Sequence, residues 1–113
     1  MSTFTPLNAA DFHHRLEEES GVSLVFFTHE LCGSCQSWKK LLLQLQQSSS
    51  VTVFEVNAET EMALTNEFEV FHLPALFLYR DGRFHAPFQC VASLQAVRDT
   101  IDLLLGQPAV ELP

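Results

Sequence analysis

The chain has 113 residues, of which 47% are hydrophobic and 18% charged. A folded domain takes roughly 100–150 residues, so a second independent core does not fit, and the apolar fraction excludes a disordered chain. Six Lys and Arg against 14 Asp and Glu leave a net charge of -8, which argues against nucleic acid as a partner because phosphate binding requires a basic surface.

A short edge strand is expected around Thr3–Thr5. Residues 9–20 then read as a helix, with Asn8 as N-cap, Phe12 and Leu16 as the apolar stripe, Glu17–Glu19 as a solvated face and Gly21 as the stop. Val22–Phe27, broken only by Ser23, is a short β-rich run, as expected for a strand covered on both faces. It is far below the ~20 residues that cross a bilayer, so no membrane partner is expected. Trp38, Leu41, Leu42 and Leu45 recur at helical spacing and predict a helix at about 34–47 with Trp38 in the core. Val51–Val56 is the next strand. Thr60 is placed to cap a helix with Leu64 and Phe68 turned inward. Val70–Pro74 leads into the strand Ala75–Tyr79, and Asp81-Gly82 signals a tight turn into an antiparallel partner at about 83–89. Ser93 caps a last helix with Leu94, Val97, Ile101 and Leu104 inward, closed by Gly106.

Strands separated by helices are expected to cross over and lie parallel, with only the final hairpin antiparallel. The expected architecture is α/β: a central mixed sheet of four or five strands with helices on both faces. One domain spans 1–113, with a core of about 8–106 and a tail at 107–113. The opening residues Met1–Thr5 hold neither a basic segment nor an apolar stretch, so a cytoplasmic, reducing setting and a monomer are the expectation.

Three cysteines cannot all pair within one chain. Cys32-Gly33-Ser34-Cys35 forms a C-x-x-C between a buried strand and an amphipathic helix, while Cys90 stands alone. At a helix N-terminus the free N–H groups and the dipole favour an anion, so Cys32 is the candidate thiolate; such sites lower a cysteine pKa to about 3.5–7.5 from ~8.5. Cys35, one turn in, is the candidate resolving thiol: Cys32 attacks a substrate disulfide and Cys35 releases the resulting mixed disulfide.

These features together resemble the thioredoxin family from about residue 8 to 105. The resemblance rests on the apolar strand entering Cys32-Gly33-Ser34-Cys35, the segment from Val53 to Asn57 in and just after the second strand, the Leu73-Pro74 step, Asp81-Gly82 and the closing helix. It implies a thioredoxin-like fold, a cis Pro74 facing the cysteine pair, and Leu73 contacting substrate backbone. It also implies no cofactor beyond the redox-active Cys32–Cys35 pair, protein disulfides as substrates, and a flavin reductase or glutathione as electron donor. Leu31, Gly33 and Ser34 complete the expected substrate-binding surface, with Leu31 and Leu73 supplying an apolar patch.

Several positions depart from the family pattern. Leu31 and Ser34 replace the usual Trp and Pro of W-C-G-P-C, and Lys40 replaces the proline that kinks the active-site helix. Phe26 stands where a buried Asp assists the resolving thiol, and Glu55 where that Asp's Lys neighbour is usual. An acid in a central strand is costly to bury ionised, so Glu55 is a candidate proton relay if it reaches the space beneath Cys35; otherwise it points to water. Cys90 is either an accessory thiol or a small buried hydrophobe. His29 is expected as a solvent-facing loop residue, although protonated it could stabilise the thiolate, which Glu30 beside it would oppose. His13, His14, His72 and His85 share no metal-ligand spacing, and no metal is expected.

The expected activity is dithiol exchange in the reducing direction, since no cation separates the two cysteines. Its potential could lie anywhere from about -270 to about -200 mV. The alternatives are a non-catalytic adaptor on the same fold, or Zn²⁺ or an iron–sulfur cluster held by Cys32, Cys35 and Cys90 with a fourth ligand from elsewhere.

Overall fold

The computed structural model describes residues 4–112. Its elements run β1 (Thr5–Pro6), α1 (Phe12–Glu17), β2 (Val22–Thr28), α2 (Gly33–Ser48), β3 (Thr52–Asn57), α3 (Met62–Glu67), β4 (Ala75–Arg80), β5 (Arg83–Phe88) and α4 (Leu94–Leu105). The strands form one sheet in the order β1-β3-β2-β4-β5. Side chains alternate across a strand, and the apolar runs of β2 and β4 therefore feed two cores. On one face Leu24, Phe26, Val53, Leu76 and Leu78 meet Cys35, Trp38 and Leu42 of α2 and Val97 and Ile101 of α4. On the other, Val25, Phe27, Phe54 and Phe77 meet Phe12 and Leu16 of α1 and Leu64 and Phe68 at α3. Helices thus cover both faces, and Trp38 is core.

The strand directions differ from the expectation in one respect. β1 and β2 both lie parallel to β3, but β4 runs antiparallel to β2, with Phe27 opposite Ala75 and Val22 opposite Arg80. Packing accounts for this. Leu64 and Phe68 are buried against Phe27 and Phe77, and from there the chain enters β4 at the same end of the sheet at which it left β3. The last hairpin is antiparallel as expected, with Asp81 and Gly82 both at positive φ. A side chain is excluded at Gly82, because a Cβ there would lie 2.6 Å from the Leu16 carbonyl oxygen.

Two helix starts also move. Asn8 and Asp11 bond reciprocally, Asn8 Oδ1 accepting from Asp11 N–H at 3.0 Å and Asp11 Oδ1 from Asn8 N–H at 3.3 Å. That closed turn consumes residues 9–11 and delays α1 to Phe12. Thr60 does not cap α3: its N–H and that of Glu59 both go to Asn57 Oδ1, and Glu61 precedes the helix. Ser93 does cap α4, accepting from Ala96 N–H at 3.1 Å, and Gly106 closes it. The edge strand lies at Thr5–Pro6, two residues long; Thr3, where it was expected to begin, is outside the described residues. Among the described residues, no helix is long and apolar enough to cross a membrane.

Candidate active site

β2 and β3 end, β4 begins and β5 ends at the same edge of the sheet, so four loops meet there: 29–32, 58–61, 68–74 and 89–93. Cys32 occupies the N-cap of α2 in extended conformation, and its sulfur accepts the Cys35 N–H at 3.2 Å. Cys32 and Cys35 are joined as a disulfide with Cα atoms 5.3 Å apart. Their exposures differ sharply. Cys35 is completely buried in the core under α2, whereas Cys32 is part-exposed at the rim. Ser34 Oγ sits 3.6 Å from Cys32 Sγ, and Gly33 lies open in the first turn.

Leu73, Cys90 and Cys32 all pack against the core that contains Cys35. The Leu73–Pro74 bond is cis, as the resemblance implies. Pro74 lines a groove of about 250 Å³ together with Phe71, Phe77 and Pro87. Around this edge stand Leu31 at 88% exposure, Phe71 at 82% and Val91 at 72%. Sequence reading found Leu31 but missed Phe71 and Val91. Phe71 reads as part of an apolar run into β4; the positive φ of Glu69 and the turn from Asn66 to Val70 leave it outside the core.

Phe26 fills the position of the family's buried acid as a fully buried ring in the same core as Cys35, edge-on to Phe4. Glu55 is its partner across the β2–β3 pair, on the same face of the sheet. It is neither solitary nor freely solvated: Lys39 Nζ of α2 lies 3.3 Å from Glu55 Oε2, and both line a cleft of about 400 Å³ beside the cysteine loop. The carboxylate is engaged by Lys39, and no hydrogen bond joins it to either cysteine.

His29 also differs from expectation. Its ring accepts the Leu31 N–H at Nδ1, 3.0 Å away, and its Nε2 lies 2.7 Å from Glu59 Oε2. The adjacent backbone strengthens the connection, with Ala58 N–H donating to the Thr28 carbonyl. A spacing of 30 residues hid the His29–Glu59 pair from sequence inspection. Cys90 is half-buried against the α2/α4 side; burial pushes its thiol pKa up, partly offset by a hydrogen bond from Thr100 on α4. A thiol so placed is less often ionised near neutrality than a free one. Among the described residues, no three His, Cys, Asp or Glu gather to hold a metal ion.

Residues 3–103 match the family model described as Thioredoxin. A thioredoxin from Chlamydia caviae is 32% identical over 65 residues, covering 57% of this chain and 64% of that protein, slightly under two thirds of its length. The fold is similar to human ERp44 in its zinc-bound form, with a TM-score of 0.72 and 18% identity over 88% of this chain and 31% of that one. A second similar chain comes from a structure addressing thiol resolution in yeast mitochondrial 1-Cys peroxiredoxin via the glutathione/thioredoxin systems. Its TM-score is 0.76 at 21% identity, over 88% of this chain and 93% of that one.

Proposed function

The chain belongs to the thioredoxin family, and from that premise we propose that it is a thiol–disulfide oxidoreductase that reduces protein disulfides in a reducing, cytoplasmic setting. The observation that carries this reading is the asymmetry of the pair, a rim sulfur at the N-cap of a 16-residue helix and a fully buried partner one turn behind it.

In the reduced protein the Cys32 thiolate inherits the Cys35 N–H and the unpaired amides of the first turn, which stabilise the anion. It attacks one sulfur of the substrate disulfide; a Cys32–substrate bond forms, the substrate disulfide breaks, and the other substrate sulfur leaves as a thiolate that takes up a proton. Cys35, deprotonated, then attacks the Cys32 sulfur, closing the intramolecular disulfide and expelling the second substrate thiol. Two electrons pass from the protein dithiol to the substrate. Leu31, Gly33, Ser34 and Leu73 form the contact surface, with Pro74 holding the substrate chain against the sulfurs. A flavin reductase or glutathione returns the electrons. Insulin reduction tests the proposal: turnover above the background of the thiol reductant supports it, and none removes it. The missing buried acid at Phe26 favours one competing reading, an adaptor that binds partners through Leu31, Phe71 and Val91 without turnover, and the same assay separates the two.

Glu55 has a part in this reading. It lies on the sheet face that carries Phe26 and meets α2 through Lys39, and in this reading its carboxylate receives the Cys35 proton. Glu55→Gln is then expected to slow insulin reduction several-fold at neutral pH and less at high pH, where Cys35 loses its proton unaided. A wild-type rate at every pH removes Glu55 from the mechanism.

A further inference from the structure

The turn that delivers Cys32 to its helix is held by one side chain. His29 Nδ1 accepts the Leu31 N–H at 3.0 Å, and the His29 carbonyl accepts the Cys32 N–H at 3.1 Å. A backbone amide can only donate, so Nδ1 must present its lone pair, and the proton of the neutral ring lies on Nε2, facing Glu59 Oε2 at 2.7 Å. The hydrogen bonds therefore select one tautomer and one charge state. We infer that His29 is a positioning residue for the Cys32 nucleophile, competent as the neutral Nε2–H ring oriented by Glu59. The inference rests on the oxidoreductase reading for its purpose, but not for its test.

The chemistry follows from what a second proton would do. A doubly protonated ring turns Nδ1–H against the Leu31 N–H, two donors facing each other, and the bond is lost. The turn can then relax, and Cys32 Sγ loses its fixed distance from the Cys35 amide. Charges from several elements face this cleft: Glu59 and Glu61 after β3, Glu55 on β3, Lys39 on α2 and Glu30 in the same loop. Whatever these charges contribute, the Leu31 amide requires an unprotonated Nδ1, so a proton added there at low pH costs the turn its bond.

Replacement by Asn provides the control, because an Asx side chain accepts the amide two residues on and does not titrate. The test uses reduced full-length protein and follows iodoacetamide alkylation of Cys32 by peptide mass spectrometry at pH 7.5 and 5.5. Wild type, His29→Asn and His29→Ala are compared. At pH 7.5, His29→Ala is expected to react about fivefold more slowly than wild type, the equivalent of one neutral hydrogen bond, and His29→Asn nearly as fast as wild type. At pH 5.5 wild type should fall below His29→Asn. A purely electrostatic role, with a cationic His29 stabilising the thiolate, gives the opposite order at pH 5.5 and overturns the inference; so does equality of wild type and His29→Ala at both pH values. Imidazole ¹⁵N shifts of the oxidised protein at pH 7.5 must also report Nε2–H, and an Nδ1–H tautomer overturns it. None of these measurements needs a disulfide substrate, so failure to reduce insulin and failure of the positioning role remain distinguishable.

Discussion

Replacing Cys35 by serine is expected to convert the protein into a covalent trap. Cys32 is accessible and can still attack a substrate disulfide, but the buried thiol that would expel the substrate is gone. Incubation with an oxidised protein substrate should then yield a one-to-one adduct through Cys32, visible by mass on non-reducing separation and released by dithiothreitol. Turnover should fall to the thiol background. Cys32→Ser should lose turnover equally but form no adduct, because Cys35 is fully covered. Adduct formation through Cys35 or Cys90 in place of Cys32, or none in any folded variant, overturns the assignment of roles. Serine at position 35 is close in size to cysteine, so circular dichroism should be unchanged and the result attributable to chemistry.

The largest stability effect is expected on the opposite face of the sheet. Phe68, at the C-terminus of α3, is almost fully buried. Its ring centroid lies 5.2 Å from that of Phe12, 5.5 Å from Phe27, 5.0 Å from Phe77 and 6.5 Å from Phe84. This one side chain joins α1 and α3 to β2, β4 and β5. Phe→Ala in such a site costs about 3–5 kcal/mol through lost transfer energy and the cavity left behind, a large part of the roughly 5–15 kcal/mol that holds a domain folded. Urea denaturation of Phe68→Ala should show a midpoint reduced to match with little change in slope, and Phe68→Leu a smaller loss. A loss below about 1 kcal/mol would mean that the aromatic cluster collapses around the gap and does not bind the layers together.

The two predictions concern different sides of one sheet, and the alternation of β2 explains why. Phe26 faces the cysteine helix and Phe27 the aromatic cluster. The β2 strand therefore anchors the redox loop to a core that the redox chemistry does not touch. The surface around the sulfurs is apolar at Leu31, Phe71 and Val91, whereas the adjoining cleft is polar, with the hydrogen-bonded His29–Glu59 pair and the Lys39–Glu55 ion pair.

The sequence by itself determined the elements, the two-faced burial and the position of the cysteine pair. These follow from local rules: short β-rich apolar runs for the strands, helical spacing of apolar residues for the helices, Asp81-Gly82 for the hairpin, Ser93 for the last cap, and four residues between a buried strand and an amphipathic helix. The tertiary structure decided what depends on residues distant in the chain. The direction of β4 depended on where the packing of Leu64 and Phe68 leaves the chain in space. Glu55 acquired Lys39 because α2 packs over its face of the sheet, and His29 acquired Glu59 because the loops after β2 and β3 converge at one end of the sheet. Phe71 became exposed because the turn at Glu69 carries it past the core. Periodicity reports which face of its own element a residue occupies; only the packing of elements determines what it faces there.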